Sequence, residues 1–238
     1  KMYKNKTNFI NSVIDSEILL IIGSSGSGKD YLTEEITKGE EYILTVSDTS
    51  RAMREGEKEG VNYYYMSTQE IIEKEANNEM AEMIKIRDKE TGEVKVCYGI
   101  SKKEIEDKLK TGKKLVFIVE PHGAEQIMKY FNEKKLKTSL LFLDISFKER
   151  KEAIIKTEIK NGRTIKEATE IAEERLARME FEDMEPQIQK IIKNNPDLNS
   201  FKSEKYSLNT ELMKAFKKGE KIKEELGKEK QTNLNYKI

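Results

Sequence analysis

"EILLIIGSSGSGKDYLTEEITKG", residues 17–39, joins three textures in one stretch. The unbroken apolar run Ile18 to Ile22 suits a strand buried on both faces of a parallel sheet. Gly23 to Asp30 taken alone would pass for a flexible glycine-serine linker. Beyond it, Leu32 and Ile36 give a short helix one apolar side, and Gly39 supplies a stop. Strand, glycine loop and helix in that order make the middle segment a phosphate cradle. In G-x-x-x-x-G-K-[ST] the glycines let successive backbone N–H groups turn inward on phosphates, while the lysine reaches the β and γ positions. Gly23, Gly28 and Lys29 fit the pattern, and Asp30 stands where Ser or Thr is expected.

The rest of the chain narrows the chemistry. With 238 residues it holds one moderately large domain or two small ones. No apolar run approaches membrane-spanning length, and no secretory leader pattern precedes the first strand, so a soluble, cytoplasmic setting without membrane contact is expected. One cysteine, Cys97, cannot form an internal disulfide, which is compatible with a reducing compartment. Acidic and basic residues balance at 44 each, so no net field advertises nucleic acid as a partner. The single histidine, His122, excludes histidine-rich metal sites and disfavours a Ser-His-Asp hydrolase.

Three further apolar stretches, Tyr42 to Val46, Lys114 to Glu120 and Ser139 to Ile145, read as strands with helical patterns between them. Strands alternating with helices predict an α/β fold built on a parallel sheet. Ser101 and Glu104 form a capping-box pattern for one of the helices, and Gly112 ends it. "MIKIRDKETGEVKVCYG", residues 83–99, alternates with period two around Thr91-Gly92 and predicts a β-hairpin inserted off the main sheet. Lys148 to Glu185 is almost wholly charged and helical, broken near Gly162; it reads either as a solvated hairpin or as a mobile lid carrying arginines. After Pro186 the pattern weakens: residues 206–216 read as a last strand passing into a helix, and residues 218–238 read as a fraying tail.

"VSDTSRAMREGEKEGVNYYYMS", residues 46–67, carries the most specific signal. Arg51 and Arg54 can present two guanidinium forks to one phosphate, a pair of surface salt bridges being the plainer reading of an isolated R-x-x-R. Hydroxyls of Tyr63 and Tyr98 can add donors, although core packing is the plainer reading of each tyrosine, above all Tyr64 and Tyr65. The segment resembles the nucleotide-monophosphate segment of guanylate kinases, S-x-T-T-R-x-x-R-x-G-E-x-x-G-x-x-Y-x-F-V-S, with Ser47, Thr49, Arg51, Arg54, Gly56, Glu57, Gly60, Tyr63 and Ser67 in register. The resemblance continues in "MAEMI", in "YGIS" (residues 98–101) and in "FIVEPHGAEQI" (residues 117–127), and covers roughly residues 17 to 185.

This resemblance implies a P-loop kinase fold, a parallel sheet flanked by helices with an inserted monophosphate-binding arm and a helical lid. It implies a core at residues 16–46, 101–147 and 179–226, an arm at 47–100, a lid at 148–178, and peripheral tails at 1–15 and 227–238. ATP would lie on Gly23, Ser24, Ser25, Gly26, Ser27, Gly28, Lys29 and Asp30. The acceptor, GMP or dGMP, would lie on Ser47, Arg51, Arg54, Tyr63, Glu82, Tyr98 and Glu120. Glu82 takes the place of the family's guanine-binding acid; outside that context it would be an ordinary solvated helix residue. Lys29, with Arg163 and Arg175 of the lid, would stabilise the transferring group, and Mg²⁺ would associate with Asp30 and Glu120.

Four departures bear on substrate choice: Asp30 for the loop hydroxyl, Ile100 for a base-contacting Ser or Thr, Ile118 for the first Asp of "DID", and a hairpin and lid helix both longer than usual. "GSGKD" loops also occur in ribose 1,5-bisphosphate kinases and in phage deoxynucleotide kinases, which are the competing enzyme readings. A guanylate-kinase-like module that binds a phosphorylated peptide is the non-enzyme alternative.

Overall fold

A computed structural model describes residues 3–177 and 184–218. The chain opens with α1 (Lys6–Ile14), β1 (Ile18–Gly23), α2 (Lys29–Thr37) and β2 (Tyr42–Leu44). A second unit follows: β3 (Ser47–Thr49), β4 (Tyr63–Tyr65), α3 (Thr68–Ala76), β5 (Met80–Arg87) and β6 (Val94–Ser101). The chain then returns through α4 (Lys102–Leu109), β7 (Lys114–Ile118), α5 (Pro121–Glu133) and β8 (Thr138–Leu143). It leaves as the hairpin α6 (Phe147–Lys160) and α7 (Ile165–Ala177), then closes with α8 (Met184–Asn194), β9 (Asn199–Ser203) and a helical stretch at residues 206–218.

The main sheet has the order β2-β7-β1-β8-β9, with every pairing parallel. Its central strands are apolar on both faces because helices cover both. Ile18, Leu20 and Ile22 point with Phe117 and Leu140 into a core closed by α4, α5 and α8. Leu19 and Ile21 point the other way, with Val116 and Leu141, into a core closed by α1, α2 and Leu212 and Phe216 of the 206–218 helix. Each such side chain contributes about 1.5–3 kcal/mol by leaving water. The smaller sheet, order β4-β3-β6-β5, buries one face against Ile71 of α3 through Met83 and Cys97. No helix among the described residues is long and apolar enough to cross a membrane.

Several expectations need correction. Residues 6–14 do not form a peripheral tail: Phe9 and Val13 are buried and Phe9 stacks on Phe201 of β9. The last strand is β9, ahead of residues 206–216, which are helical. The α6–α7 hairpin is not wholly solvated, because Ile154, Ala172 and Leu176 close a small core between its helices. Ser101 caps α4 by accepting from the Glu104 N–H, but the capping box is half made. The Glu104 carboxylate turns instead to the N–H of Val46 (2.7 Å) and the ammonium of Lys108, satisfying a buried chain crossing. A full capping box, which the sequence reading passed over, joins Ser67 and Glu70 at α3. The segments 178–183 and 219–238, and with them the tail at 227–238, lie outside the described residues.

Candidate active site

The glycine loop leaves the carboxyl end of β1 at the middle of the sheet, and α2 begins at Lys29. Gly23 is required by close approach: a Cβ there would stand 2.4 Å from Ser27 Oγ. Gly28 is required by its backbone, with φ +89°, where a side chain is strained. Ser24, Ser25 and Gly26 arch between them, with the Ser27 N–H closing a turn on the Ser24 carbonyl at 3.1 Å. The Lys29 ammonium stands 4.0 Å from the Asp30 carboxylate, the lysine largely covered and the aspartate open to solvent. Glu120 closes no strand. It is the N-cap residue of α5, exposed, just past β7, the neighbour of β1.

The smaller sheet gathers most of the expected acceptor residues on one face. Register pairs Ser47 with Tyr63, Thr49 with both Tyr65 and Tyr98, Ile84 with Tyr98, and Glu82 with Ile100. Side chains directly opposite each other share a face, and alternate residues along a strand do too. Ser47, Tyr63, Tyr65, Tyr98 and Glu82 therefore project together, away from α3. Arg51, in the loop after β3, sits among them, its guanidinium 5.3 Å from the Tyr63 ring centroid and 6.0 Å from that of Tyr65. Both its terminal nitrogens lie on Glu57, at 2.9 and 2.7 Å. That fork holds Glu57 down to about 2, and the Arg54 N–H adds to the effect. Arg54 itself is exposed.

Glu82 is not a solvated helix residue. It lies on β5 and is 6% exposed. Burial, then the negative charge of Glu120, pushes its carboxyl up to about 7, against the opposing pull of the Ile100 backbone N–H. The Met83 N–H donates to Gln126 Oε1 at 3.0 Å, tying this strand to α5. Ile100 is buried beside it, leaving an apolar wall where a hydroxyl would otherwise stand.

The two expected lid cations lie apart from the loop. Arg163 is exposed at the hairpin turn, and Arg175 is 3.8 Å from Glu158 within the hairpin. A cation of the α6–α7 hairpin that does reach the loop is Arg150, whose Nη1 donates to the Ser25 carbonyl at 3.2 Å. Sequence reading missed Arg150 because it is one charge among many on a charged helix. It also assigned no role to Glu57 and gave Tyr65 to core packing, whereas the Tyr65 hydroxyl donates to Glu57 at 2.8 Å; the alternation Tyr63, Tyr65 along one strand was the available signal. Tyr64 points to the other face and donates to Glu104 at 3.2 Å. A cleft of about 670 Å³ lined by Lys4, Asp15, Asn132 and Asn199 lies at the amino ends of β8 and β9, the far end of the sheet from the loop.

Among the described residues no group of three or more His, Cys, Asp or Glu is placed to hold a metal ion.

Comparison with known proteins identifies the family. The family model for guanylate kinase matches residues 15–201. Guanylate kinase of Porphyromonas gingivalis is 31% identical over 68% of this chain and 82% of its own length. That of Bacteroides fragilis is 29% identical over 79% and 86%. That of Mesoplasma florum is 35% identical over 48% of this chain, which spans only 36% of it. A solved guanylate kinase from Anaplasma phagocytophilum overlaps 74% of the chain at 23% identity with a TM-score of 0.42, too loose a superposition to argue from. The chain belongs to the guanylate kinase family and is a guanylate kinase-like phosphotransferase.

Proposed function

We propose that the chain transfers the γ-phosphoryl group of ATP to GMP or dGMP. The observation that carries this reading is Glu82, a buried carboxylate on the same sheet face as Ser47, Tyr63 and Tyr98. An ionised carboxylate there accepts from the N1–H and exocyclic amine of guanine, a pair of donors that adenine does not offer. Arg51, with Tyr63 and Tyr98, would receive the acceptor's phosphate, and Arg54 and Ser47 would complete that site.

On the donor side, the N–H groups from Gly23 to Gly28 and the Lys29 ammonium would hold the β and γ phosphates. Mg²⁺ would be held by those phosphates with Asp30 and Glu120, and supplies charge neutralisation when bound. Because the acceptor phosphate is already anionic, no general base is needed, which fits a chain with one histidine. Arg163 and Arg175 would reach the transferring group on lid closure, a step that also excludes water. A cytoplasmic setting is compatible with the buried free thiol of Cys97.

The test is ADP formation from ATP with GMP, dGMP, AMP, dTMP, UMP and ribose 1,5-bisphosphate as acceptors. Transfer to guanine nucleotides at least tenfold faster than to the others supports the reading. Preference for ribose 1,5-bisphosphate or another nucleotide overturns the acceptor assignment, and no transfer to any of them favours a binding module.

A further inference from the structure

Three side chains outside the glycine motif grip the phosphate loop from behind. Arg150, in the first turn of α6, donates from Nε to the Ile145 carbonyl at 3.0 Å and from Nη1 to the Ser25 carbonyl at 3.2 Å. The Tyr206 hydroxyl donates to the Gly26 carbonyl. Asn209 Nδ2 donates to the Ser27 carbonyl at 3.1 Å, while its Oδ1 accepts from Ser203 Oγ at 2.6 Å, which fixes the amide end that faces the loop. Three consecutive carbonyls are thus drawn toward the lid root and the 206–218 helix.

In a trans peptide the C=O and the following N–H point opposite ways. Drawing the Ser25 and Ser27 carbonyls outward turns the Gly26 and Gly28 N–H groups to the concave side. Gly26 and Gly28 have φ of +79° and +89°, and glycine peptides turn over readily unless something holds them. Donors already aimed at the phosphates need no reorganisation when charge moves, so holding them has value for catalysis.

We propose that Arg150, Tyr206 and Asn209 are positioning residues for the phosphoryl donor, holding the loop peptides in the orientation that presents Gly26 and Gly28 N–H to the phosphates. The proposal rests on the kinase reading above, and it also ties the loop to the root of the lid through Arg150. None of the three need touch the nucleotide.

The variants are Tyr206→Phe, Arg150→Lys and Asn209→Asp, the last keeping shape but facing the Ser27 carbonyl with a second acceptor. Each is titrated with ATP and with tripolyphosphate in Mg²⁺ by calorimetry, and KM is measured separately for ATP and GMP. Loss of one hydrogen bond to the loop is expected to weaken ATP and tripolyphosphate by roughly three- to tenfold, with the KM for GMP within about twofold. A merely structural role would lower the active fraction and leave both KM values in place. ATP and tripolyphosphate affinities within about twofold of wild type in folded Tyr206→Phe and Arg150→Lys would overturn the proposal, as would equal losses for both substrates. If Asn209→Asp does not fold, Tyr206→Phe, which removes one oxygen, decides the matter. Should the wild type bind ATP and tripolyphosphate yet phosphorylate no acceptor, the functional reading fails while the binding data still judge the loop.

Discussion

Gly123 leaves the room that Glu82 occupies: a Cβ on Gly123 would stand 2.6 Å from Glu82 Oε1 and 3.2 Å from its Cδ. The glycine sits in the first turn of α5, so the fit between that helix and β5 decides where the carboxylate lies. Gly123→Ala must push Glu82 aside. The expected outcome is a rise of roughly ten- to a hundredfold in KM for GMP, the range set by losing a hydrogen bond to a charged group, with KM for ATP unchanged. Steady-state kinetics with each substrate varied in turn checks it, and equal KM values in variant and wild type would place guanine elsewhere.

Glu82 also links stability to pH. Its folded-state value, about 7, lies above the ordinary carboxylate value of 4.5, so the folded chain binds more protons than the unfolded chain between those values. Stability carried by this group is therefore full below about pH 4.5 and is lost as pH rises through about 7. The difference is on the order of 3 kcal/mol. Glu82→Gln, neutral at every pH, is expected to be more stable than wild type at pH 8 and to lose the wild type's decline between pH 5 and 8. The same variant should bind GMP more weakly. Chemical denaturation across pH checks the first part; parallel profiles for the two proteins would show that Glu82 ionises freely in the fold.

Arg51 and Glu57 test the phosphate end of the acceptor. The bidentate fork and the Tyr63 and Tyr65 faces suit a planar guanidinium and not an ammonium. Arg51→Lys should lower kcat/KM for GMP by roughly ten- to a hundredfold, while Glu57→Gln, which loosens Arg51 without removing its charge, should cost less. A larger loss in Glu57→Gln than in Arg51→Lys would make Glu57 the more direct participant.

Lys29→Ala removes the cation at the end of the glycine loop. Turnover is expected to fall by roughly two to four powers of ten with the thermal transition preserved, because on the proposed reading the charge would act on the transferring group and not on the core. Near-normal turnover in a folded variant would remove the loop from the reaction.

The parts of this molecule that were legible in its sequence share a physical property: their burial leaves a pattern. Ile18 to Ile22 is apolar throughout because helices cover both faces, whereas the hairpin's alternation marks its two strands even though Ile84, Ile86 and Val96 lie on the face opposite the one that Met83 and Cys97 bury against α3. β9 hid because its buried residues, Phe201 apart, are polar. Asn199 and Ser203 are inside the protein, satisfied in part by Ser139 and Asn209, and such pairings leave no mark in hydropathy. Arg150 hid for the opposite reason, since a lysine- and glutamate-rich helix gives no ground for singling out one cation. Motif spacing picked out Ser47, Tyr63 and Tyr98, which the smaller sheet sets on one face, whereas the pairing of Arg51 with Glu57 depends on the fold of their loop and the burial of Glu82 on strand register.

Asp30 remains the loop's distinctive residue. It does not cap α2: the N-cap is Gly28, with no side-chain cap bond, and Asp30 stands in the first turn, 81% exposed beside Lys29. A hydroxyl at this place is neutral and tolerates phosphate with or without metal. A carboxylate about 4 Å from a phosphate oxygen is repelled by roughly 4 kcal/mol at an effective dielectric near 20. Lys29 offsets part of that, but it is needed by the phosphates too. Mg²⁺ between carboxylate and phosphates reverses the sign, directly or through a retained water. Asp30 is therefore expected to make ATP binding depend on metal more steeply than a serine would. Titrating ATP into wild type and Asp30→Ser, each in Mg²⁺ and in EDTA, measures this. The serine variant should gain at least tenfold in EDTA and gain little or lose affinity in Mg²⁺. The same ratio of Mg²⁺ to EDTA affinity in both proteins would mean that Asp30 faces solvent in the complex as well, leaving only its favourable placement at the positive end of the α2 dipole.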